Sequence, residues 1–247
     1  MTAPDETELA EAMARTWPPA AVDDASAPGW RLREGRGGGK RVSAATSLGA
    51  LDPAPLAAIL RARGETPMVQ VVASETELDQ RLADAGWVEV DATILYVAPA
   101  EAMAALSLPK GVRFATGTAR LALLAEIWEA EGIGAARQAV MERCAAPKAI
   151  LMGRTDDVAA GAAFVAAHGR LAMLHAVAVR PEHRRRGVGR ALLAGAGRFG
   201  LDQGAPWVGL AVAEANETAR ALYDAAGMTR AARYLYRVAP DTQGGPT

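Results

Sequence analysis

The stretch HAVAVRPEHRRRGVGRALL, residues 175–193, constrains the fold more than any other part of the 247-residue chain. An apolar, β-branched run stops at Pro181, a knot of arginines and two glycines follows, and apolar residues then resume at helical spacing. The order is strand, short loop, helix, with Gly187 and Gly189 in the first turn of the helix. The first amides of a helix have no partner within it and sit at the positive end of its dipole. Glycines let a bulky anion approach that backbone, and Arg184, Arg185, Arg186 and Arg190 add formal charge around it. The guest such a site suits is a phosphate or pyrophosphate.

Several classes of function are excluded by what is missing. A Walker A loop needs GK[ST] at its end, whereas Gly189 is followed by Arg190 and Ala191. A Rossmann fingerprint needs different glycine spacing inside a repeated parallel βαβ unit. A formal charge of only −1 argues against a nucleic-acid footprint. Three histidines without an HxxxH or HxH pair give no metal site. The single cysteine, Cys144, is expected to be a small buried hydrophobe. No apolar run approaches the ~20 residues that cross a bilayer, and the acidic start MTAPDETELAEAMARTW is unlike a signal peptide, so no membrane contact and a cytoplasmic location are expected.

Periodicity is clearest in the C-terminal part. GVRFATG reads as a strand, TARLALLAEIWEAEG as a helix opened by Thr118, and GAARQAVMERCAA as a helix ended by Pro147. AILMGR, VAAGAAFVAAHG and RLAMLHAVAVR read as three strands, residues 187–203 as a helix, and WVGLAV as a strand. NETARALYDAAG follows as a helix capped by Asn216 and stopped by Gly227, then MTRAARYLYRV as a last strand. This is an α+β domain with one mixed sheet flanked by helices, its core built of small residues.

The first hundred residues read as a shorter copy of the same plan. Residues 75–99 lie without a gap over 216–240, so that Ala85 and Gly86 fall on Ala226 and Gly227 and Pro99 falls on Pro240. Where the second copy has RRRGVGR, the first has LGALDPAP, without paired glycines. The segment GRGGGKR, residues 35–41, is expected to be a flexible hairpin turn between two strands and not a second phosphate loop.

The residues of the loop carry a resemblance to the GNAT superfamily of acyl-CoA-dependent N-acyltransferases. The family's signature (Q/R)-x-x-G-x-(G/A) is matched by Arg184, Gly187 and Gly189, after a strand ending AVAVRPEHR and before a helix NETARALYDAAGM. The resemblance implies a GNAT fold in tandem: a degenerate copy over 1–100, an N-acetyltransferase domain over 108–240 and a flexible tail at 241–247. It implies that the backbone of Arg185, Arg186, Gly187, Val188, Gly189 and Arg190 holds the CoA pyrophosphate, with Arg184 beside it. It further implies that Val177 and Val179 lie along the pantetheine arm, that WVGLAV splays from its neighbour, and that Asn216 touches the cofactor. Tyr223 matches the tyrosine that protonates the leaving thiolate. The family's glutamate base falls near Met173, which cannot accept a proton, and His175, two residues on, is the candidate base. Glu126, Glu129, Glu131 and Glu214 are weaker candidates. Trp30, Trp128 and Trp207 are expected to pack in the core, with an acceptor pocket as the other reading.

The activity so implied is transfer of an acetyl group from acetyl-CoA to an amine of a small molecule or protein, directly in a ternary complex and without a metal. A non-catalytic acyl-CoA sensor is the alternative, and nucleic-acid binding through the arginines a third reading. The N-terminal copy is expected to cover the acceptor side or one sheet edge, or to contact a second subunit in a homodimer.

Overall fold

The computed structural model describes residues 2–118 and 121–240. The expected tail at 241–247 lies outside the described residues. In chain order the first half forms α1 (Glu6–Thr16), β1 (Ala21–Asp23), β2 (Trp30–Glu34), α2 (Lys40–Ser43), β3 (Thr46–Ser47), α3 (Ala54–Ala62), β4 (Met68–Val72), α4 (Thr76–Asp84) and β5 (Val88–Pro99). Then come α5 (Ala100–Ala104), β6 (Val112–Gly117), α6 (Ala122–Ala130), α7 (Ala135–Arg143), β7 (Lys148–Thr155), β8 (Val158–His168) and β9 (Leu171–Val179). After β9 follow α8 (Val188–Asp202), β10 (Trp207–Ala213), α9 (Glu217–Ala225) and β11 (Thr229–Val238).

These elements make two compact units. The first holds the described residues up to Pro18, with Ile94–Val212 and Asn216–Ala231. The second holds Pro19–Thr93, Ala213–Ala215 and the described residues from Ala232 on. Both β5 and β11 change unit along their length, so each half of the sequence gives a strand end to the unit built mainly from the other.

In the first unit the strand order is β5, β10, β9, β8, β7, β6. Neighbours from β6 to β9 run antiparallel, and β10 pairs parallel with β9. One face is covered by α8, whose Leu192, Leu193, Ala196 and Phe199 pack on Leu151, Val165, Leu174 and Leu210. Alanines at 149, 163, 167 and 172 keep that face low, so α8 sits close to the sheet. The other face receives α1 and α6. Helix α1 opens with a capping box: Glu8 N–H donates to Asp5 Oδ1 at 2.8 Å, and Asp5 N–H donates to Glu8 Oε2 at 3.1 Å.

Gly197 marks the tightest approach of α8 to α5. A Cβ there would sit 2.6 Å from Ala100 O and 2.7 Å from Met103 Cβ, and closer still to Ala104 N. Alanine gains about 1 kcal/mol of helix propensity over glycine, but overpacking against backbone costs up to about 3 kcal/mol, so the collision decides the sign. Gly197→Ala is therefore expected to destabilise by about 2 kcal/mol in urea unfolding; equal or higher stability would show that the helices can separate freely.

The second unit contains the antiparallel sheet β1-β2-β3 and the pair β4–β11. Its core joins Trp30, Leu56, Leu60, Val69, Val71, Leu78, Leu82 and Leu235. Two segments, one in each unit, differ from the pattern their sequence suggests. GRGGGKR does not simply turn between strands: after Gly39, at φ +96°, the chain makes the single helical turn α2 before β3, because a left-handed glycine redirects it into helical backbone. The helix expected from Thr118 begins at Ala122, with Leu121 as its N-cap and no side-chain cap; Ala119 and Arg120 lie outside the described residues.

Candidate active site

The loop between β9 and α8 has the geometry of an anion cradle. Gly187 is the N-cap of α8 at φ +90°, and the first helical bond runs from Ala191 N–H to Gly187 O. The amides of Val188, Gly189 and Arg190 therefore have no partner inside the helix, at the positive end of fifteen aligned peptide dipoles. Packing bears harder on Gly187, which faces a proline ring, than on Gly189, which faces the movable end of a leucine. A Cβ on Gly187 would meet Pro109 Cγ at 2.7 Å, and one on Gly189 would meet Leu222 Cδ2 at 2.6 Å.

The arginines around the cradle differ in what they do. Arg184 donates to Glu131 Oε2 at 2.5 Å and to Val179 O at 3.2 Å, which pins the loop to the end of β9. Arg190 Nε donates to Ser107 O at 2.8 Å, and Arg186 lies 3.5 Å from Asp156. Arg185, at φ +60°, is exposed and makes no hydrogen bond or ion pair among the described residues, so its charge is free for a ligand.

Upstream, β9 carries a bulge that the sequence did not announce. Ala162 pairs with Ala178 and Phe164 with His175, so Ala176 and Val177 together face the single Ala163. Ala176 has φ +51°, and its carbonyl accepts the indole N–H of Trp128 at 2.8 Å. In an unbroken strand His175, Val177 and Val179 would share a face. Here the bulge reverses the alternation: the His175 ring lies against Trp17 and Phe164, centroids 5.1 and 6.1 Å away, while Val177 and Val179 pack with the cluster under α8.

The bulge also falls where β9 and β10 part. Their parallel pairing runs from Trp207 with Leu171 to Leu210 with Leu174 and stops there, although both strands continue. The gap and the cradle thus occupy the same end of β9.

His175 is 3% exposed, and its Nε2 lies 2.9 Å from Thr16 Oγ1. That hydroxyl gives its one proton to Ala12 O at 2.6 Å, so it must accept from the imidazole. The hydrogen-bond network accordingly assigns a proton to Nε2. Thr16 and α1 were missed in the sequence; the signal that finds the helix is the Asp5–Glu8 capping box.

Tyr223 lies on α9, 5% exposed, with its ring centroid 5.6 Å from that of Tyr96. Burial, helped by Tyr96, pushes its phenol up to about 12, so it is a proton donor throughout the neutral range. Asn216 caps α9 by accepting Ala219 N–H at 3.0 Å, which leaves its side-chain N–H groups for other partners. Glu131 and Glu214 are tied to Arg184 and Arg233, while Glu126 and Glu129 are exposed. Trp30, Trp128 and Trp207 are all buried, and so is Cys144, whose thiol burial pushes above its ordinary range. No group of metal-ligating side chains occurs among the described residues, and no helix there is long and apolar enough to cross a membrane.

Residues 120–228 match the model of the Acetyltransferase (GNAT) family. No curated protein sequence matches the chain. Among solved structures, a GCN5-related N-acetyltransferase from Kribbella flavida superposes with a TM-score of 0.70 at 18% identity, over 98% of each chain. A tandem GNAT protein from the clavulanic acid biosynthesis pathway gives 0.59 at 19% identity, over 77% of this chain and 70% of that one. A GCN5-related N-acetyltransferase from Sphaerobacter thermophilus gives 0.51 at 21% identity, over 70% and 59%. At these identities the likeness is one of fold, a mixed sheet flanked by helices. Residues 120–228 thus resemble a domain of the Acetyltransferase (GNAT) family, and the solved structures share its fold.

Proposed function

We propose that the protein transfers an acetyl group from acetyl-CoA to a primary amine of a small molecule or protein, by direct attack in a ternary complex. The observation that carries this reading is the coincidence of two features at one end of β9: an anion cradle at the start of α8 and a gap between β9 and β10 opened at the Ala176 bulge. The first suits the CoA pyrophosphate, held by the amides from Arg185 to Arg190 with Arg184 fixing the loop. The second suits the acyl arm, with Val177 and Val179 beside it and the Asn216 amide as a further donor.

The chemistry then needs no protein nucleophile. The amine nitrogen attacks the thioester carbon, charge builds on the carbonyl oxygen, and the C–S bond breaks as the amide forms. Bulged backbone at Ala176 and Val177 is suited to donate to that oxygen. His175 takes the proton lost by the amine on Nδ1, its other nitrogen being held by Thr16. Tyr223 donates to the departing thiolate. The N-terminal half fits a degenerate copy without a cradle: α9 and β11 begin 141 positions after α4 and β5, and Gly86 and Gly227 share φ values of +79° and +81°.

Calorimetry with acetyl-CoA, followed by thiol release across a panel of amines, tests this reading. Binding together with CoA release on at least one amine is the expected result. Tight binding without turnover on any amine would instead favour an acyl-CoA sensor, the reading that buried Met173 at the family's base position supports. No acetyl-CoA affinity would overturn both.

A further inference from the structure

The second unit contains a pair of cations that its own residues do not neutralise. Among its described arginines, Arg31, Arg36, Arg63, Arg81, Arg233 and Arg237 each face a carboxylate. Arg33, Arg41 and Arg61 have no carboxylate within ion-pair distance among the described residues; Arg61 is exposed and donates to Pro240 O at 3.0 Å, whereas Arg33 and Arg41 are half-buried. A charge withdrawn from water costs free energy unless it is paired; burial pushes Arg33 below its ordinary range, whereas Arg41, against its own burial, is held above it by the Tyr234 and Tyr236 hydroxyls.

The two arginines converge on one polar patch. On β4 and β11 the alternate residues Val69, Val71 and Leu235 point into the apolar core, which puts Gln70, Tyr234 and Tyr236 on the opposite face. Gln70 and Tyr236 are register partners there. Arg33 reaches this face from β2 and Arg41 from α2, and the charges of both act on Tyr236. That phenol cannot supply the missing negative charge, because burial holds it well above its ordinary value and therefore neutral.

The bonds these arginines make are long. Arg33 donates to Ala44 O at 3.2 Å, to Gln70 Oε1 at 3.4 Å and to Thr46 Oγ1 at 3.4 Å, and Arg41 Nε donates to Tyr234 OH at 3.3 Å. Well-made guanidinium bonds to oxyanions are about 2.7–2.9 Å, and each fork offers five donors. With the further bond of Arg41 to Tyr236, about half of that donor capacity is left for another partner.

We propose that Arg33 and Arg41 form a binding site for a small dianion, an oxyanion group seated against Tyr236 and Gln70 in the second unit. Two guanidinium forks match the charge of a phosphate or a dicarboxylate, and either source provides the same bidentate chemistry. The site is separate from the cradle at α8 and does not depend on the acetyl-transfer reading.

The test titrates the full chain with inorganic phosphate and, separately, with succinate at slightly alkaline pH, ionic strength being held constant with sodium chloride. Calorimetry reads the affinity and thermal unfolding reads the linked stabilisation. Binding of phosphate alone identifies a phosphate-bearing ligand, and binding of succinate alone a carboxylate. Arg33→Met and Arg41→Met, each checked for native circular dichroism, are expected to weaken that binding by about tenfold or more. Arg41→Lys, which keeps the charge and loses the fork, covers the case in which the methionine variant does not fold, and should also bind more weakly. Wild-type protein that binds neither anion overturns the proposal. Binding unchanged in the arginine variants does the same, since it would then belong to the cradle at α8.

Discussion

Gly187→Glu is expected to abolish acetyl-CoA binding while leaving a folded protein. Three effects act on this position, and their magnitudes separate affinity from stability. A side chain at φ +90° pays about 1–2 kcal/mol for left-handed backbone, and the Cβ collides with Pro109 at 2.7 Å. A carboxylate at a helix N-terminus returns about 0.3–1 kcal/mol through the dipole, so the net loss of stability is modest. For the ligand every change is unfavourable: the new carboxylate occupies the amides of Val188, Gly189 and Arg190 and repels the pyrophosphate. Hydrogen bonds to charged groups are worth about 1.5–3 kcal/mol each, so losing two lowers affinity by at least about 100-fold. Gly187→Ala separates the causes, because it carries the same backbone strain and the same contact with Pro109 without the charge. It should weaken binding by only about tenfold. Calorimetry on both variants reads the difference, and wild-type affinity in Gly187→Glu would show that the donor does not bind at this helix.

The strand, loop and helix start at Gly187 were legible in the sequence because their signals are local. Glycines at 187 and 189, arginines around them and the apolar runs on either side are all consecutive, and helix-start physics needs nothing from the rest of the fold. The helix at 217–225, with Asn216 as its cap, was legible for the same reason. The bulge was not. Left-handed backbone is ordinarily signalled by glycine, and here it falls on an alanine, held by a tryptophan forty-eight residues upstream that accepts no sequence rule. The reversal of face at Val177 depends on that bulge and so was equally hidden.

Thr16 illustrates a different limit. Its contact with His175 spans 159 positions, and no periodicity reports a partner that far away. The acidic opening of the chain carries a signal beyond its charge, since Asp5 and Glu8 spell a capping box. Reciprocal exchange of the ends of β5 and β11 between the two units is invisible for a related reason. A helix-to-strand pattern specifies that a strand exists, and its alternation specifies a buried face, but neither names the neighbour.

Replacing Tyr223 with phenylalanine is expected to lower kcat by about 10²- to 10⁴-fold with little change in acetyl-CoA affinity. The phenol's proton decides the size and kind of the effect. With its pKa at about 12, Tyr223 is neutral at any physiological pH, and in the proposed reaction its partner would be a leaving thiolate whose own pKa is that of an ordinary thiol, about 8.5. Complete proton transfer is uphill by roughly 3–4 units, or about 5 kcal/mol, so Tyr223 acts as a hydrogen-bond donor that strengthens as charge develops on sulfur. Such an interaction exists in the transition state and scarcely in the ground state, which is why kcat should fall and affinity should not. It also means that kcat should show no alkaline decline from this residue below about pH 11. Stability carries an independent signature. The folded pKa lies above the unfolded value of about 10, so the contribution of the buried neutral phenol is fully present below pH ~10 and is lost as pH rises towards 12, by about 2–3 kcal/mol. Tyr223→Phe should remove that part of the alkaline loss, measured as the difference in unfolding free energy between the two proteins. A variant with wild-type kcat would transfer the donor role to another group, whereas one with reduced kcat and an unchanged alkaline stability profile would mean that the phenol is not buried in the folded state.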